Sequence, residues 1–139
     1  MATTRILIAD DHQIVRSGIR SIVEGEYGWQ VCAEAANGRE AVEMAKLLSP
    51  DIVILDLFMP GLNGLEASRQ ILHNKPQQKI LILTVMDCEE TARQTLEAGT
   101  KGYLPKSDAA NDLVAAVKTL QQNCTFFSAR WQYGQKRRR

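Results

Sequence analysis

The sequence predicts an α/β domain with (βα)5 architecture, in which helices cover both faces of a doubly wound, five-stranded parallel sheet. Short aliphatic runs recur along the chain, and each ends in polar or turn residues. These runs are nearly continuous rather than alternating, which is typical of strands buried on both faces. Segments with apolar residues at helical spacing separate them. With 139 residues, 45% of them hydrophobic, the chain fits one domain with a single core.

The individual elements follow in chain order. The predicted strands span residues 6–9, 31–36, 52–55, 80–83 and 102–104. Apolar stripes predict four helices: Val15, Ile19 and Ile22; Ala41, Met44, Ala45 and Leu48; Leu65, Ser68 and Leu72; Ala110, Leu113, Val114, Val117 and Leu120. Ser107 or Asp108 is the expected cap of the last of these. Residues 89–98 predict a mostly polar helix with Leu96 as its main apolar contact, which we expect to be weakly anchored and easy to move.

Composition disfavours several classes of function. The net charge is +1, but the last four residues, 136–139, are all basic, so the preceding body is mildly acidic. Nucleic-acid binding by the domain itself is disfavoured, because phosphate neutralisation needs clustered Lys and Arg. The three cysteines are scattered, which disfavours a zinc site or a disulfide framework. No apolar run approaches the roughly 18 residues of a membrane span, and we expect a cytoplasmic protein that does not enter the membrane.

Polar residues collect at the predicted carboxyl ends of the strands. Asp10 and Asp11 follow the first strand, Asp56 the third, Thr84 the fourth and Lys106 the fifth. The carboxyl ends of parallel strands meet at one edge of the sheet, where ligands bind. Because three close carboxylates raise one another's pKa unless a cation is present, we expect this edge to bind Mg²⁺, which prefers oxygen ligands.

Asp56 ends an apolar run and is followed by Pro60 and Gly61, so it could be a turn or cap residue, a metal ligand or a nucleophile. A carboxylate that accepts a phosphoryl group needs Mg²⁺, a cationic side chain and a hydroxyl donor around the phosphoryl oxygens. An Asp pair often only caps a helix, and a lone Thr or Lys is usually a surface residue, but the joint pattern favours Asp56 as the nucleophile. His12 is interpreted as a helix-start or packing residue rather than a metal ligand, because no soft ligand accompanies it.

Four stretches, ILIADDH, DIVILDLFMPGLNGLE, ILILTVMD and AGTKGYLPKS, resemble in this order the receiver domain of bacterial two-component response regulators. The resemblance covers residues 5–122. The stretches ADDHQIVRSGI and GYLPKS are similar to the NarL/FixJ-like subfamily, whose members usually carry a C-terminal LuxR-type helix-turn-helix that binds DNA. The resemblance implies a flavodoxin-like receiver fold and a signalling protein rather than an enzyme.

The same resemblance implies a phosphoacceptor and its metal ligands. Asp56 would accept a phosphoryl group from a sensor histidine kinase. Asp11 and Asp56 would bind Mg²⁺ directly, and Asp10 would bind it through water. The backbone carbonyl of Phe58 would complete the protein ligands.

It also implies a switch. Thr84 would hydrogen-bond the phosphoryl group and Lys106 would pair with it, while Tyr103 would move inward together with Thr84. The population of the surface formed by the fourth helix, fifth strand and fifth helix would then shift. Homodimerisation on phosphorylation is implied by the resemblance alone.

Three residues depart from the family pattern. Phe58 and Met86 are apolar where the family is often polar, and we hypothesise that they flank the acyl phosphate, restrict attacking water and slow autodephosphorylation. Pro105 precedes Lys106, whereas many receivers have Pro after this lysine. The cis peptide bond of those receivers is therefore not expected here.

We expect residues 1–123 to form the receiver domain and residues 124–139 to be a C-terminal extension or the start of a linker, with the effector domain absent. The chain would be either an excised receiver or a natural single-domain protein. DNA contact is expected only through an effector domain outside this chain. The basic residues 136–139 are interpreted as a solvated terminus rather than a nucleic-acid contact.

Other functions stay open beside a transcriptional switch. One is a stand-alone phosphate shuttle or interaction module. Another is a Mg²⁺-dependent aspartyl phosphatase of the haloacid-dehalogenase type, which usually has a second Asp where this chain has Phe58. A flavodoxin-like cofactor protein is disfavoured, because the loop after the first strand is acidic where a flavin phosphate needs backbone donors and neutral or basic residues.

Overall fold

The computed structural model describes residues 3–127. The strands are β1 (Thr4–Ala9), β2 (Trp29–Ala35), β3 (Ile52–Asp56), β4 (Lys79–Thr84) and β5 (Gly102–Pro105). The helices are α1 (Gln13–Glu24), α2 (Gly38–Leu48), α3 (Gly64–Asn74), α4 (Glu89–Glu97) and α5 (Ala109–Gln121), the last preceded by a 3₁₀ turn at Lys106–Asp108. Strands and helices alternate throughout, which confirms the predicted (βα)5 architecture.

The strands form one parallel sheet in the order β2-β1-β3-β4-β5. Helices α1 and α5 contribute to the core on one face, and α2, α3 and α4 contribute to the core on the other. The strand order reverses between β1 and β3, so the crevice in which ligands bind in such sheets lies at the carboxyl ends of these two strands. Every residue of β3 is buried, as the near-continuous apolar run predicts.

The predicted strand and helix positions are confirmed, with small shifts at their ends. β2 begins two residues earlier than predicted, and β3 includes Asp56. In α5 the predicted apolar stripe is wrong at Ala110, which is exposed, whereas Ala109 and Ala116 are buried. Asp108 precedes this helix but makes no side-chain capping hydrogen bond, because its backbone is already helical in the 3₁₀ turn.

Helix α4 differs from the expectation that Leu96 would be its main contact. Leu96 is only partly buried, and the buried residues of α4 are Thr91, Ala92 and Thr95. The Thr95 hydroxyl donates to the Thr91 carbonyl within the helix, which satisfies its polar group inside the core. Small and polar side chains bury little apolar area, so α4 is still the weakly anchored helix that its sequence predicts.

Within residues 3–127, none of the helices combines the length and the hydrophobicity that crossing a bilayer requires. In this same range no peptide bond is cis, so the bond before Pro105 is trans. The basic residues 136–139 lie outside the described residues.

Candidate functional site

The loop after β3 places Asp56 at the carboxyl edge of the sheet, 3% exposed. The Leu57 N–H donates to the Leu83 carbonyl at 2.9 Å, and the Gly64 N–H donates to the Leu57 carbonyl at 2.8 Å. A Cβ atom at Gly64 would lie 2.2 Å from the carbonyl oxygen of Asp56, so α3 can start this close only with glycine. The turn residues after the apolar run therefore fold the loop back onto the carboxylate.

Lys106 joins the first and third strands through their carboxylates. Its Nζ atom donates to Asp10 Oδ2 at 2.7 Å and lies 3.2 Å from Asp56 Oδ2. Asp10 is fully buried, and its other oxygen accepts the His12 N–H at 2.8 Å. A side chain predicted at the end of β5 thus reaches two acids that lie 50 or more positions away in the sequence.

Asp11 lies beside Asp10 and has one buried oxygen that accepts no hydrogen bond within the described residues. Its Oδ1 atom is buried and accepts no hydrogen bond from the described residues, although His12 Nδ1 lies 3.1 Å away. Ligand atoms of Asp10, Asp11 and His12 lie within 4.8 Å of one another. A buried carboxylate oxygen that accepts no hydrogen bond and lies beside another acid fits a hard divalent cation such as Mg²⁺.

Asp56 and Lys106 both have a raised pKa. Burial raises the pKa of Asp56, the Asp10 charge raises it further, and Lys106 opposes both. Burial lowers the pKa of Lys106, but the hydrogen bond to Asp10 and the charges of both acids outweigh burial and leave it raised. Asp10 and Asp56 share one ammonium group and Asp11 lies beside Asp10, so bringing in a cation would lower the repulsion among the acids.

Thr84 and Tyr103 share one backbone oxygen beside this site. Thr84 is fully buried, its Oγ1 accepts the Met86 N–H at 2.9 Å, and its hydroxyl reaches the Met86 carbonyl at 3.3 Å. The Tyr103 hydroxyl donates to the same carbonyl at 2.8 Å, and its side chain is fully buried. Through these hydrogen bonds, the Thr84 hydroxyl points to the β4–α4 loop rather than to Asp56.

The mouth of the crevice carries apolar side chains. Phe58 is 48% exposed and Met86 is 51% exposed, while Val85, which precedes Met86 in the β4–α4 loop, is 74% exposed. The Phe58 N–H lies 3.4 Å from Asp56 Oδ1, so this residue adjoins the acid through its backbone. Half-exposed apolar groups can cover a bound group and still leave a path to it.

Two residues beside the site were not predicted from the sequence. Arg16 in α1 donates to the Asp10 carbonyl through Nη1 at 2.6 Å and to Glu34 Oε1 through Nε at 3.0 Å. Hydrogen bonds from Arg20 and Arg16 lower the pKa of Glu34. Phe127 stacks on Tyr103 with a centroid distance of 6.1 Å. Arg16 lies in the stretch ADDHQIVRSGI, but only the folded chain shows which atom it contacts.

Comparison with known proteins gives a consistent result. Residues 6–118 match the family described as the response regulator receiver domain. The chain is 37% identical over 118 residues to the transcriptional regulatory protein DegU of Brevibacillus brevis, covering 85% of this chain and 50% of that protein. It is 38% identical over 115 residues to the response regulator UvrY of Escherichia coli strain K12, covering 83% and 53%. The chain thus spans about half of the length of these relatives.

A solved structure agrees over nearly the whole chain. The two-component response regulator of the LuxR family from Aurantimonas sp. SI85-9A1 is 36% identical, with a TM-score of 0.92. The match covers 99% of this chain and 100% of that one. The predicted resemblance, including its LuxR-type branch, is confirmed.

Proposed function

The chain belongs to the response regulator receiver domain family, and from this premise we propose that it is a switch controlled by a phosphoryl group on Asp56. Response regulators signal through phosphorylation. The observation that carries the choice of residue is the position of Asp56, which is buried at the sheet edge with Lys106 between its carboxylate and that of Asp10. A buried acid beside a fixed cation is suited to accept a dianionic group.

In the proposed reaction, an Asp56 carboxylate oxygen attacks the phosphorus of a phosphohistidine on a sensor kinase. An oxygen–phosphorus bond forms, the phosphorus–nitrogen bond breaks, and the leaving imidazole takes up a proton. Lys106 pairs with a phosphoryl oxygen while the phosphoryl group moves from the histidine to Asp56. Its contact with Asp56 at 3.2 Å supports this role, because the ammonium group already lies beside the acceptor oxygen.

Asp10, Asp11, Asp56 and the Phe58 carbonyl are the proposed holders of Mg²⁺, with Asp10 acting through water. When bound, this ion neutralises charge on the transferring group. The unsatisfied Asp11 oxygen supports the assignment.

Thr84 and Tyr103 are proposed to form the switch that couples phosphorylation of Asp56 to a conformational change elsewhere in the domain. The Thr84 hydroxyl would leave Met86 and donate to a phosphoryl oxygen. The bond that this hydroxyl now donates to the Met86 carbonyl at 3.3 Å costs little to give up, since a neutral hydrogen bond contributes about 1 kcal/mol and a bond to an anionic phosphoryl oxygen is stronger.

We propose that residues 1–123 are the receiver domain and that residues 124–139 lead out of it. The matched relatives include a transcriptional regulatory protein and are about twice as long as the matched region. The same proposal has four further parts. The protein is cytoplasmic, a sensor histidine kinase phosphorylates it, it dimerises on phosphorylation, and it controls transcription through a DNA-binding domain outside this chain. No catalytic turnover of its own is assigned to the domain.

The test is the intact mass of the protein after incubation with Mg²⁺ and a small phosphodonor. Wild type should gain one phosphoryl group that hydroxylamine removes, as expected of an acyl phosphate. Asp56→Asn should stay unmodified, and Asp112→Asn on the surface of α5 should react like wild type.

Two outcomes would contradict the proposal. One is equal phosphorylation of wild type and Asp56→Asn, which would move the acceptor elsewhere. The other is no modification of wild type by either the small donor or a phosphorylated kinase domain. Sustained release of phosphate from a phosphate monoester would instead favour the phosphatase alternative.

A further inference from the structure

The chain after α5 returns along the outer edge of the sheet. The Asn123 N–H donates to the Leu120 carbonyl and the Cys124 N–H donates to the Thr119 carbonyl, at 3.0 and 3.2 Å. With Asn123 at a φ of 62°, these bonds form a Schellman turn, which ends α5 and reverses the chain. Residues 124–127, here named the strap, then run beside β5.

The strap extends the sheet by one short parallel pairing. The Phe126 N–H donates to the Lys101 carbonyl at 2.8 Å, and the Tyr103 N–H donates to the Phe126 carbonyl at 2.9 Å. Phe126 thereby pairs with Gly102 in β5. Because β5 is an edge strand, the strap satisfies backbone groups that otherwise face solvent.

The two phenyl rings of the strap join opposite cores. Phe126 packs against the core that contains α1 and α5, and Phe127 belongs to the core that contains α2, α3 and α4. Phe127 is 3% exposed and its ring stacks on Tyr103 with an interplanar angle of 12°. The last described residue of the chain thus covers the side chain predicted to act as a switch.

Tyr103 lies between the strap and the site. Its ring packs on Phe127, while its hydroxyl donates to the Met86 carbonyl, which Thr84 also contacts. A continuous series of contacts therefore runs from Thr84 through Met86 and Tyr103 to Phe127. Two of its links are hydrogen bonds to one oxygen, so a change at Thr84 alters the number of donors on the Met86 carbonyl that Tyr103 contacts.

We propose that the strap is an intramolecular docking partner for the edge of β5, that Phe127 is a positioning residue holding Tyr103 inward, and that strap docking and phosphorylation of Asp56 stabilise each other. This inference rests on the proposed function. It gives the chain that leaves the domain a direct mechanical connection to the phosphorylation site.

The sign of the coupling follows from the shared carbonyl. When the Thr84 hydroxyl turns to a phosphoryl oxygen, the Met86 carbonyl loses one of its two hydroxyl partners. The Tyr103 hydroxyl then holds this oxygen alone, which favours the inward ring and preserves the surface on which Phe127 stacks. Coupling between two sites is reciprocal, so a docked strap must strengthen binding at Asp56 by the same factor.

The experiment measures binding of beryllofluoride, a phosphoryl mimic, with saturating Mg²⁺ and the full chain. Phe127→Ala should bind it about fivefold more weakly than wild type, which corresponds to a coupling of about 1 kcal/mol. Phe127→Tyr, which keeps the ring, should stay within about twofold. Val31→Ala in β2, at the opposite edge of the sheet, removes buried apolar area far from the strap and should leave the affinity unchanged.

Hydrogen exchange in wild type provides a second measurement that needs no variant. The Phe126 amide should exchange about fivefold more slowly with beryllofluoride bound, while amides in the middle of β3 stay unchanged. Equal affinities for wild type and Phe127→Ala, or faster exchange at Phe126, would overturn the coupling and leave the phosphoacceptor assignment standing. If wild type fails to bind beryllofluoride, the phosphoacceptor assignment falls and the coupling falls with it.

Discussion

Two neighbouring groups at the carboxyl edge of the sheet are held by different forces. In the charged group, defined as Asp10, Asp11, Asp56 and Lys106, one ammonium joins Asp10 and Asp56 through ionic contacts of 2.7 and 3.2 Å, and Asp11 lies beside Asp10. The hydroxyl relay, Thr84, Met86 and Tyr103, depends on neutral hydrogen bonds to the backbone of a single loop residue. Charge-assisted hydrogen bonds are roughly twice as strong as neutral ones.

This difference suits the charged group to binding a phosphoryl group and the hydroxyl relay to changing conformation in response. The charged group is assembled without a phosphoryl group, because Lys106 already contacts both Asp10 and Asp56. The hydroxyl relay can exchange partners at small cost, and it adjoins the exposed Val85 and the weakly anchored helix α4. Phosphoryl transfer requires charged groups that are already in place, as in the charged group. Signalling requires groups that can change their contacts, as in the hydroxyl relay.

The largest expected effect comes from removing the cation of the charged group. Lys106→Met should slow phosphorylation by a small phosphodonor about 100-fold, the usual loss when one preorganised charge contact to a transition state is deleted. The measurement is the initial rate by intact mass at saturating Mg²⁺. Lys118→Met removes a surface lysine paired with Glu26 and serves as the control, with an unchanged rate. A loss below about threefold for Lys106→Met would show that the charged group is not preorganised by this lysine.

A smaller effect, on Mg²⁺ affinity, should follow from removing the hydrogen bond that holds the backbone carbonyl of Asp10. Arg16→Met removes the donor to the Asp10 carbonyl and should weaken Mg²⁺ binding about 10-fold, as is typical when a residue supporting metal ligands is lost. Titration calorimetry with Mg²⁺ alone measures this. Arg20→Met is a matched control, because Arg20 also pairs with Glu34 from α1 but makes no recorded contact with Asp10. Equal weakening in both variants would assign the effect to the Glu34 network as a whole.

The smallest effect concerns the apolar mouth of the crevice, where the charged group and the hydroxyl relay meet. Replacing Phe58 and Met86 together with Asn should shorten the half-life of the phosphorylated protein about fivefold, since one hydrogen bond to an attacking water contributes about 1 kcal/mol. Loss of the phosphoryl group is followed by intact mass after removal of the donor. Val85→Asn, at a more exposed neighbouring position, should change the half-life less. An unchanged half-life in the double variant contradicts the shielding role.

Much of the fold could be predicted because the signals were local. Near-continuous aliphatic runs and helical stripes each depend on residues a few positions apart, and five repeats of one unit leave few arrangements for a parallel sheet. The prediction was wrong at Ala110, which is exposed, and in α4 it named Leu96, which does pack against the core, without the more deeply buried Thr91, Ala92 and Thr95. Small residues such as alanine and threonine give a weak signal for which positions of a helix face the sheet.

The candidate site divides in the same way. The prediction that Asp10, Asp56 and Lys106 come together follows from strand polarity alone, and the structure brings them into contact. The hydrogen bond from Arg16 to the Asp10 carbonyl could not be predicted, because every residue has a backbone carbonyl and the sequence does not indicate which one accepts the bond. The same holds for the shared Met86 oxygen, where two hydroxyls meet on a group that every residue possesses.

The sequence by itself determined the order of strands and helices, the edge at which the acids collect and the identity of the proposed phosphoacceptor, since these depend on periodicity and on side-chain chemistry. Only the tertiary structure decided that Thr84 points to its own loop, that Arg16 holds the chain behind Asp10, and that Phe127 lies on Tyr103. Those contacts are made by backbone atoms and aromatic rings, whose chemistry does not by itself select one particular partner residue. Their partners are chosen by the packing of the whole sheet, in which β5 is the edge that remained open for the strap.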